Sequence, residues 1–219
     1  MRLNKYIAAS SPLSRRAADV AIAAGRVTVN RLQPTAGQDV TTADVVTLDG
    51  HAITPTVKTM TIMFNKPVGF VVSRDGQGSQ TIYDLLPADY HNLIPIGRLD
   101  KYSSGLLLLT NDGQLAQELT HPSRKKTKVY EVLLDKPLQP LHQQMISDHG
   151  ITLEDGPSKF TISKLDTGNT AYQITMHEGR NRQIRRTFEA LGYRVTHLHR
   201  THFGPYILGK LGAGKHQII

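Results

Sequence analysis

Cysteine and tryptophan are both missing from the 219 residues, and aromatic residues as a whole make up only 6%. Without cysteine there is no disulfide framework, no thiol nucleophile and no zinc site built on thiolate ligands. No stretch approaches the ~20 apolar residues that a membrane-spanning helix needs, and the opening MRLNKYIAASSPLSRR has no apolar core of the kind a secretion signal carries. Acidic charge is scarce as well: 18 Asp and Glu stand against 26 Lys and Arg, a formal net charge of +8. A hydrophobic content of 39% with 20% charged residues excludes a disordered chain. The expectation is a cytoplasmic globular protein whose excess positive charge suits a polyanion, or is simply a solvated basic surface.

Hydrophobic spacing divides the chain in two. Leu3, Tyr6 and Ile7 follow helical spacing, and a second helix is expected to start at Ser14, a good N-cap, and to stop at Gly25. Ala17, Val20, Ala21 and Ala24 recur along it at three and four residues, a row of small side chains suited to close packing. Short strands are expected at 26–30, around Asp39-Val40 and at 44–48. About fifty residues bury only a small core, so residues 1–48 read as a module, with 49–60 as a linker and 61–219 as the main domain. In the main domain, strands are expected at 61–64, 69–73, 105–110, 129–134 and 172–176, with helices at 113–120, 137–147 and 182–191 between them. Turns such as Asn111-Asp112-Gly113 favour neighbouring antiparallel strands, and the fold class is α+β: a small N-terminal α/β module, then a mixed, largely antiparallel sheet flanked by helices.

The positive charge is clustered. Residues 1–60 carry seven basic side chains, Lys58 among them, against four acidic ones. Four more basic residues crowd into Arg124–Lys128 and another four into Arg180–Arg186. Clusters in both modules fit a long polyanion better than a small anionic substrate. Between them, Gly97-Arg98-Leu99-Asp100 precedes the apolar run Leu106–Leu109, which puts Asp100 at the rim of the sheet. There its ionisation depends on a nearby cation; an aspartate that caps a turn or pairs with Arg98 fits the same spacing. With Ile184, Phe188 and Leu191 on the core side of a helix, Arg182 and Arg186 point outward and Arg185 falls on the boundary. A guanidinium at that boundary can hold a carboxylate, or can be part of a basic surface helix with a flanking salt bridge.

Two other patterns carry less. Gly209–Lys215 has the glycine and lysine spacing of a phosphate-binding loop, but His216 stands where a hydroxyl must ligate magnesium and no helix follows. His197, His199 and His202 cluster without a cysteine or a nearby carboxylate, so packing or RNA contact beside Arg200 fits them better than a metal.

Taken together, Gly97–Asp100 with Ser104–Leu107, Asn65–Gly69, Lys128-Val129-Tyr130 and Glu178–Arg186 resemble the ribosomal RNA pseudouridine synthases of the RsuA/RluB type. Residues 1–48 resemble the S4-like RNA-binding domain that precedes the catalytic domain in that family. The likeness covers nearly the whole chain in order. It implies isomerisation of uridine to pseudouridine in RNA without cofactor or metal, in a cytoplasmic monomer acting on ribosomal RNA, free or within an assembling particle. Asp100 matches the catalytic aspartate, Tyr130 the tyrosine against the target base, Arg185 the basic partner of the aspartate, and Arg98 an arginine that helps displace the target nucleotide. The remaining RNA contacts are expected from Arg2, Lys5, Arg15, Arg16, Arg26, Lys66, Lys128, Arg180, Arg182 and Arg186. Residues 151–160 lean toward the large-subunit enzymes. Arg31 replaces a usual glycine and Thr187 a usual large apolar residue. The alternative is an inactive RNA-binding or ribosome-assembly protein on the same fold.

Overall fold

The computed structural model describes residues 1–55, 59–165, 167–168 and 170–219. Thr56, Val57 and Lys58 of the expected linker lie outside them. The chain forms two compact units, Met1–Thr59 and Met60–Ile219.

In the first unit, Leu3, Tyr6 and Ile7 form the buried face of α1 (Leu3–Ser10). The Ser14 hydroxyl caps α2 (Arg15–Ala23) by accepting from the Ala17 amide, and Gly25 at φ +71° lets the chain turn out of it. The buried row of α2 is Ala18 and Ala21, while Val20, expected to be inside, is 69% exposed. Rows one residue apart on a helix differ by about 100°, and with several alanines in each row spacing alone did not choose between them. Strands β1 (Val27–Val29), β2 (Val46–Leu48) and β3 (His51–Ile53) then form an antiparallel sheet. The third strand carries the unit past residue 48, because β3 pairs with β2 and the Tyr6 hydroxyl donates to the Ile53 carbonyl. Asp39 makes only an isolated bridge to Arg2, so the strand expected there does not form.

The second unit is built on a mixed sheet. In chain order its strands are β4 (Thr61–Lys66), β5 (Ile94–Ile96), β6 (Ser104–Thr110), β7 (Lys128–Leu134), β8 (Ile151–Leu153), β9 (Gly156–Ser158), β10 (Thr161–Lys164), β11 (Ala171–Met176), β12 (Val195–Phe203), β13 (Tyr206–Ile207) and β14 (His216–Ile218). The main sheet runs β10-β11-β7-β12-β6-β4-β14, with β5 on β6 and β13 on β12, and β8 with β9 makes a separate hairpin. Among the described strands only β12 with β6 is parallel. The mixed, mostly antiparallel sheet expected from the sequence is therefore present.

Strand β6 is buried along its whole length, because its leucines serve both sheet faces. Leu107 and Leu109 join the larger core with Phe64, Val132 and Phe188, while Leu106 and Leu108 join a second cluster with Ile96 and Phe203. Helix α3 (Gly113–Thr120) is capped by Asp112, so Asn111-Asp112-Gly113 opens a helix and does not join two strands. Helix α4 (Pro140–Gln144) runs into a π-helical turn at Met145–His149. Helix α5 (Gln183–Ala190) buries Ile184 and Phe188 as its spacing requires. Gly69–Ser73 forms no named strand; Val71 makes only an isolated bridge to Thr81.

Candidate active site

The turn from Asp100 to Ser103 feeds β6, and every backbone carbonyl in it is held from outside. Lys66, at the end of β4, donates its Nζ to the carbonyls of Asp100 at 3.1 Å and Ser103 at 2.8 Å, and to that of Pro67 at 3.0 Å. The Gly69 amide takes the Lys101 carbonyl at 2.7 Å, and Arg185 Nη2 takes that of Tyr102, also at 2.7 Å. A loop whose carbonyls are all engaged has little freedom, which fixes the half-buried Asp100 side chain at the sheet rim. Lys66 is 0% exposed, so the RNA contact expected of it does not fit; its ammonium is a brace. Burial lowers its pKa to about 8, and the Asp100 charge pulls it the other way.

Arg185 also differs from expectation. Its guanidinium does not form an ion pair with Asp100; Nη1 donates to the Val195 carbonyl at 2.8 Å and Nη2 to Tyr102. Burial and Arg182 lower its pKa while Asp100 raises it, so the two charges attract at longer range than a salt bridge. Arg185 ties α5 to the aspartate loop.

Asp100 opens onto a cavity of about 300 Å³, inside the size range of small-ligand sites. Arg98, Tyr130, Lys128, Arg182 and Arg200 line it as well. Tyr130 is 7% exposed on β7, and Arg98 and Arg182 are exposed at the mouth. A wider cleft of about 920 Å³ shares Lys128 and Arg180 with this cavity and adds Lys125, Lys126 and Lys159. The two basic clusters of the main domain thus converge on one surface.

Not every basic residue expected to meet RNA is available there. Arg180 donates to Asp155 Oδ1 at 2.9 Å and to the Pro157 carbonyl at 2.7 Å, and Arg186 pairs with Asp155 at 2.7 Å. Both clamp the turn between β8 and β9. In the first unit Arg26 is bound in a fork by Asp49, with contacts of 2.7 and 2.6 Å, and Arg2 donates to the Gly37 carbonyl. Lys5 is half-buried, whereas Arg15 and Arg16 are exposed on α2.

Residues 60–190 match the family model described as RNA pseudouridylate synthase. The chain belongs to the RNA pseudouridine synthase family. It is 37% identical to an uncharacterized RNA pseudouridine synthase of Aquifex aeolicus, across 98% of this chain and 88% of that one. It is 38% identical to a ribosomal large subunit pseudouridine synthase B of Pseudomonas aeruginosa, across 99% of this chain but only 58% of the longer relative. A crystal structure of a pseudouridylate synthase superposes with a TM-score of 0.72 at 30% identity, covering 100% of this chain and 96% of its own.

Two features of this synthase escaped the sequence reading. Arg200 is 2% exposed and lines the cavity, although the histidine-rich run around it reads as packing or surface contact. Ser103, 1% exposed and also in the lining, carries a buried hydroxyl with no hydrogen-bond partner among the described residues. A basic residue in a polar strand reads as surface unless the register is known. Among the described residues no group of three His, Asp or Glu side chains is placed to hold a metal ion. The glycine-rich segment before His216 is a turn: the Gly214 amide donates to the Asn65 carbonyl, and β14 follows it.

Proposed function

We propose that this synthase isomerises uridine in ribosomal RNA of the large subunit, in the cytoplasm, with Asp100 as the catalytic carboxylate. The reading rests on one observation: the Asp100 carboxylate stands at a nucleoside-sized cavity on a loop braced by two cations. An enzyme that works on a base must take it out of the stack, which costs a few kcal/mol. Tyr130 offers the extruded uracil an aromatic face, a contact worth roughly 1–3 kcal/mol per base, and Arg98 at the mouth can occupy the gap left behind. Lys125 and Lys159 in the adjoining cleft suit the flanking phosphates. Residues 1–59 act as an S4-like anchor, with Arg15 and Arg16 on the exposed side of α2. The large-subunit preference is supported by the name of the Pseudomonas relative.

The test is to incubate the protein with ribosomal RNA transcripts and map pseudouridine chemically. Asp100→Asn is expected to abolish product while RNA affinity stays within about twofold, since the loop braces are all to backbone carbonyls. Full activity in that variant removes Asp100 from the chemistry.

A further inference from the structure

We propose that Arg200, with Lys128 beside it, stabilises the negative charge that uracil acquires when its bond to the sugar breaks. The inference rests on the uridine-isomerase reading of the Asp100 cavity. In that reaction the C1′–N1 bond breaks and its electron pair leaves with the base, whose charge spreads over N1 and the two carbonyl oxygens. The base turns, C5 forms the new bond to C1′, the C5 proton departs and N1 gains a proton. No atom is gained or lost overall. The point of highest charge is the detached base, and a cation waiting there lowers the barrier more than it tightens binding.

Arg200 has the features such a role requires. It lies directly across from Tyr130 in the pairing of β12 with β7, so a base lying against the tyrosine is within reach of the guanidinium. Its Nε donates to the Leu106 carbonyl at 2.8 Å, which fixes the side chain. Nη2 is buried and has no hydrogen-bond partner among the described residues. Arg200 forms no ion pair there either, although a buried charge without a partner is costly. The centre of the Phe203 ring lies 4.9 Å from the guanidinium carbon and 5.6 Å from the Lys128 ammonium, so one aromatic ring serves both cations. Among the described residues Lys128 donates only to the Glu178 carbonyl, at 3.3 Å. Burial and the nearness of Arg200 lower its pKa, as expected for two like charges kept together, and the Glu178 charge opposes them only in part. Gly105 makes room for the arrangement: any Cβ at this position, φ +105°, would collide with the Arg200 backbone. Two adjacent cations lining one cavity, neither of them in a salt bridge among the described residues, are suited to an anion that exists only during the reaction.

Arg200→Met, Arg200→Lys and Lys128→Met are compared with the wild-type protein on RNA carrying either uridine or 5-fluorouridine at the target. Single-turnover loss of the N-linked nucleoside, RNA affinity and thermal midpoint are measured. With uridine, Arg200→Met is expected to slow the step about 10²–10³-fold, as removal of one oxyanion donor does, with affinity within about twofold. Arg200→Lys should recover part of the rate. Fluorine stabilises the departing base by itself, so the loss in Arg200→Met should shrink at least tenfold on the fluorinated RNA. Equal losses on both RNAs, or no loss on uridine, overturn the inference. If Arg200→Met does not fold, Lys128→Met decides by the same comparison, with a smaller loss on uridine expected to shrink in the same way. A wild-type protein that forms no pseudouridine defeats the functional reading instead, a separate result.

Discussion

Lys66 shows how a single charge serves the site from inside the protein. Its ammonium reaches the carbonyls of Pro67, Asp100, Lys101 and Ser103 from a fully buried position, and burial lowers its pKa to about 8. In the unfolded chain the same group titrates near 10.5. Between those values the unfolded chain binds more protons than the folded one, so this residue's contribution to stability rises with pH. The loop carbonyls lose their cationic donor in the same window. Stability and turnover are therefore expected to diverge: from pH 8 to pH 10 the urea midpoint of the wild type should rise relative to Lys66→Met, while the wild-type turnover falls. Parallel pH profiles for midpoint and rate would show that the ammonium does not brace the loop. The motif Asn65-Lys66-Pro67 was legible in the sequence, but the place of its lysine was not. A basic residue is by default at the surface, and only the closure of β4 against β6 shows that Lys66 points inward. Asp100 was legible for the opposite reason: a carboxylate directly before a wholly buried strand has few places to go but the rim.

At the level of elements, the legible parts were those with one strong period. The leucines of β6 and the Ile184–Phe188 pair of α5 lie where their spacing put them, because each large apolar side chain has one buried solution. The row of α2 was misread because alanine fits inside and outside equally well. Thr187 fits the core through a bond that no pattern announces. Its hydroxyl donates to the Ser158 hydroxyl at 2.7 Å, and Gln183 reaches the same oxygen at 3.1 Å, so a small buried polar network replaces the usual bulk. Arg31 is a local conflict that persists. Asn30 and Arg31 turn the chain with φ of +51° and +69°, and Asn30 compensates through bonds to Asp44 and to the Val45 amide. Among the described residues the Arg31 side chain makes no such bond, and a left-handed non-glycine residue costs roughly 1–2 kcal/mol. Glycine there gives back part of that gain through the extra freedom of the unfolded chain. Arg31→Gly is thus expected to stabilise the protein by about 0.5–1 kcal/mol in urea denaturation. A destabilised Arg31→Gly variant would mean that the arginine side chain makes a contact worth more than the strain.

Over the whole molecule, a net charge of +8 says less than the distribution of unpaired cations. Arg26 is matched by Asp49 at 2.6 Å, Arg186 by Asp155 at 2.7 Å and Lys126 by Glu118 at 3.1 Å. A phosphate arriving at such a pair meets little net charge and releases few counterions. Lys125 is exposed in the cleft without an ion-pair partner among the described residues, and Lys159 donates only to the Asp148 carbonyl. Affinity for RNA falls with salt in proportion to the phosphates neutralised, by roughly 0.7 in the log–log slope for each contact on a single strand and 0.9 on a duplex. Lys125→Gln and Lys159→Gln should each reduce the slope by nearly one and weaken binding alike on ribosomal and unrelated RNA. Arg26→Gln should leave the slope within about 0.2 of the wild type, because the charge it removes is already balanced by Asp49. Titrations of a fluorescent RNA from 50 to 300 mM KCl measure all three. If Arg26→Gln flattens the slope as much as the cleft lysines do, then RNA displaces Asp49 on binding, and residues 1–59 contribute more contacts than their resting ion pairs imply.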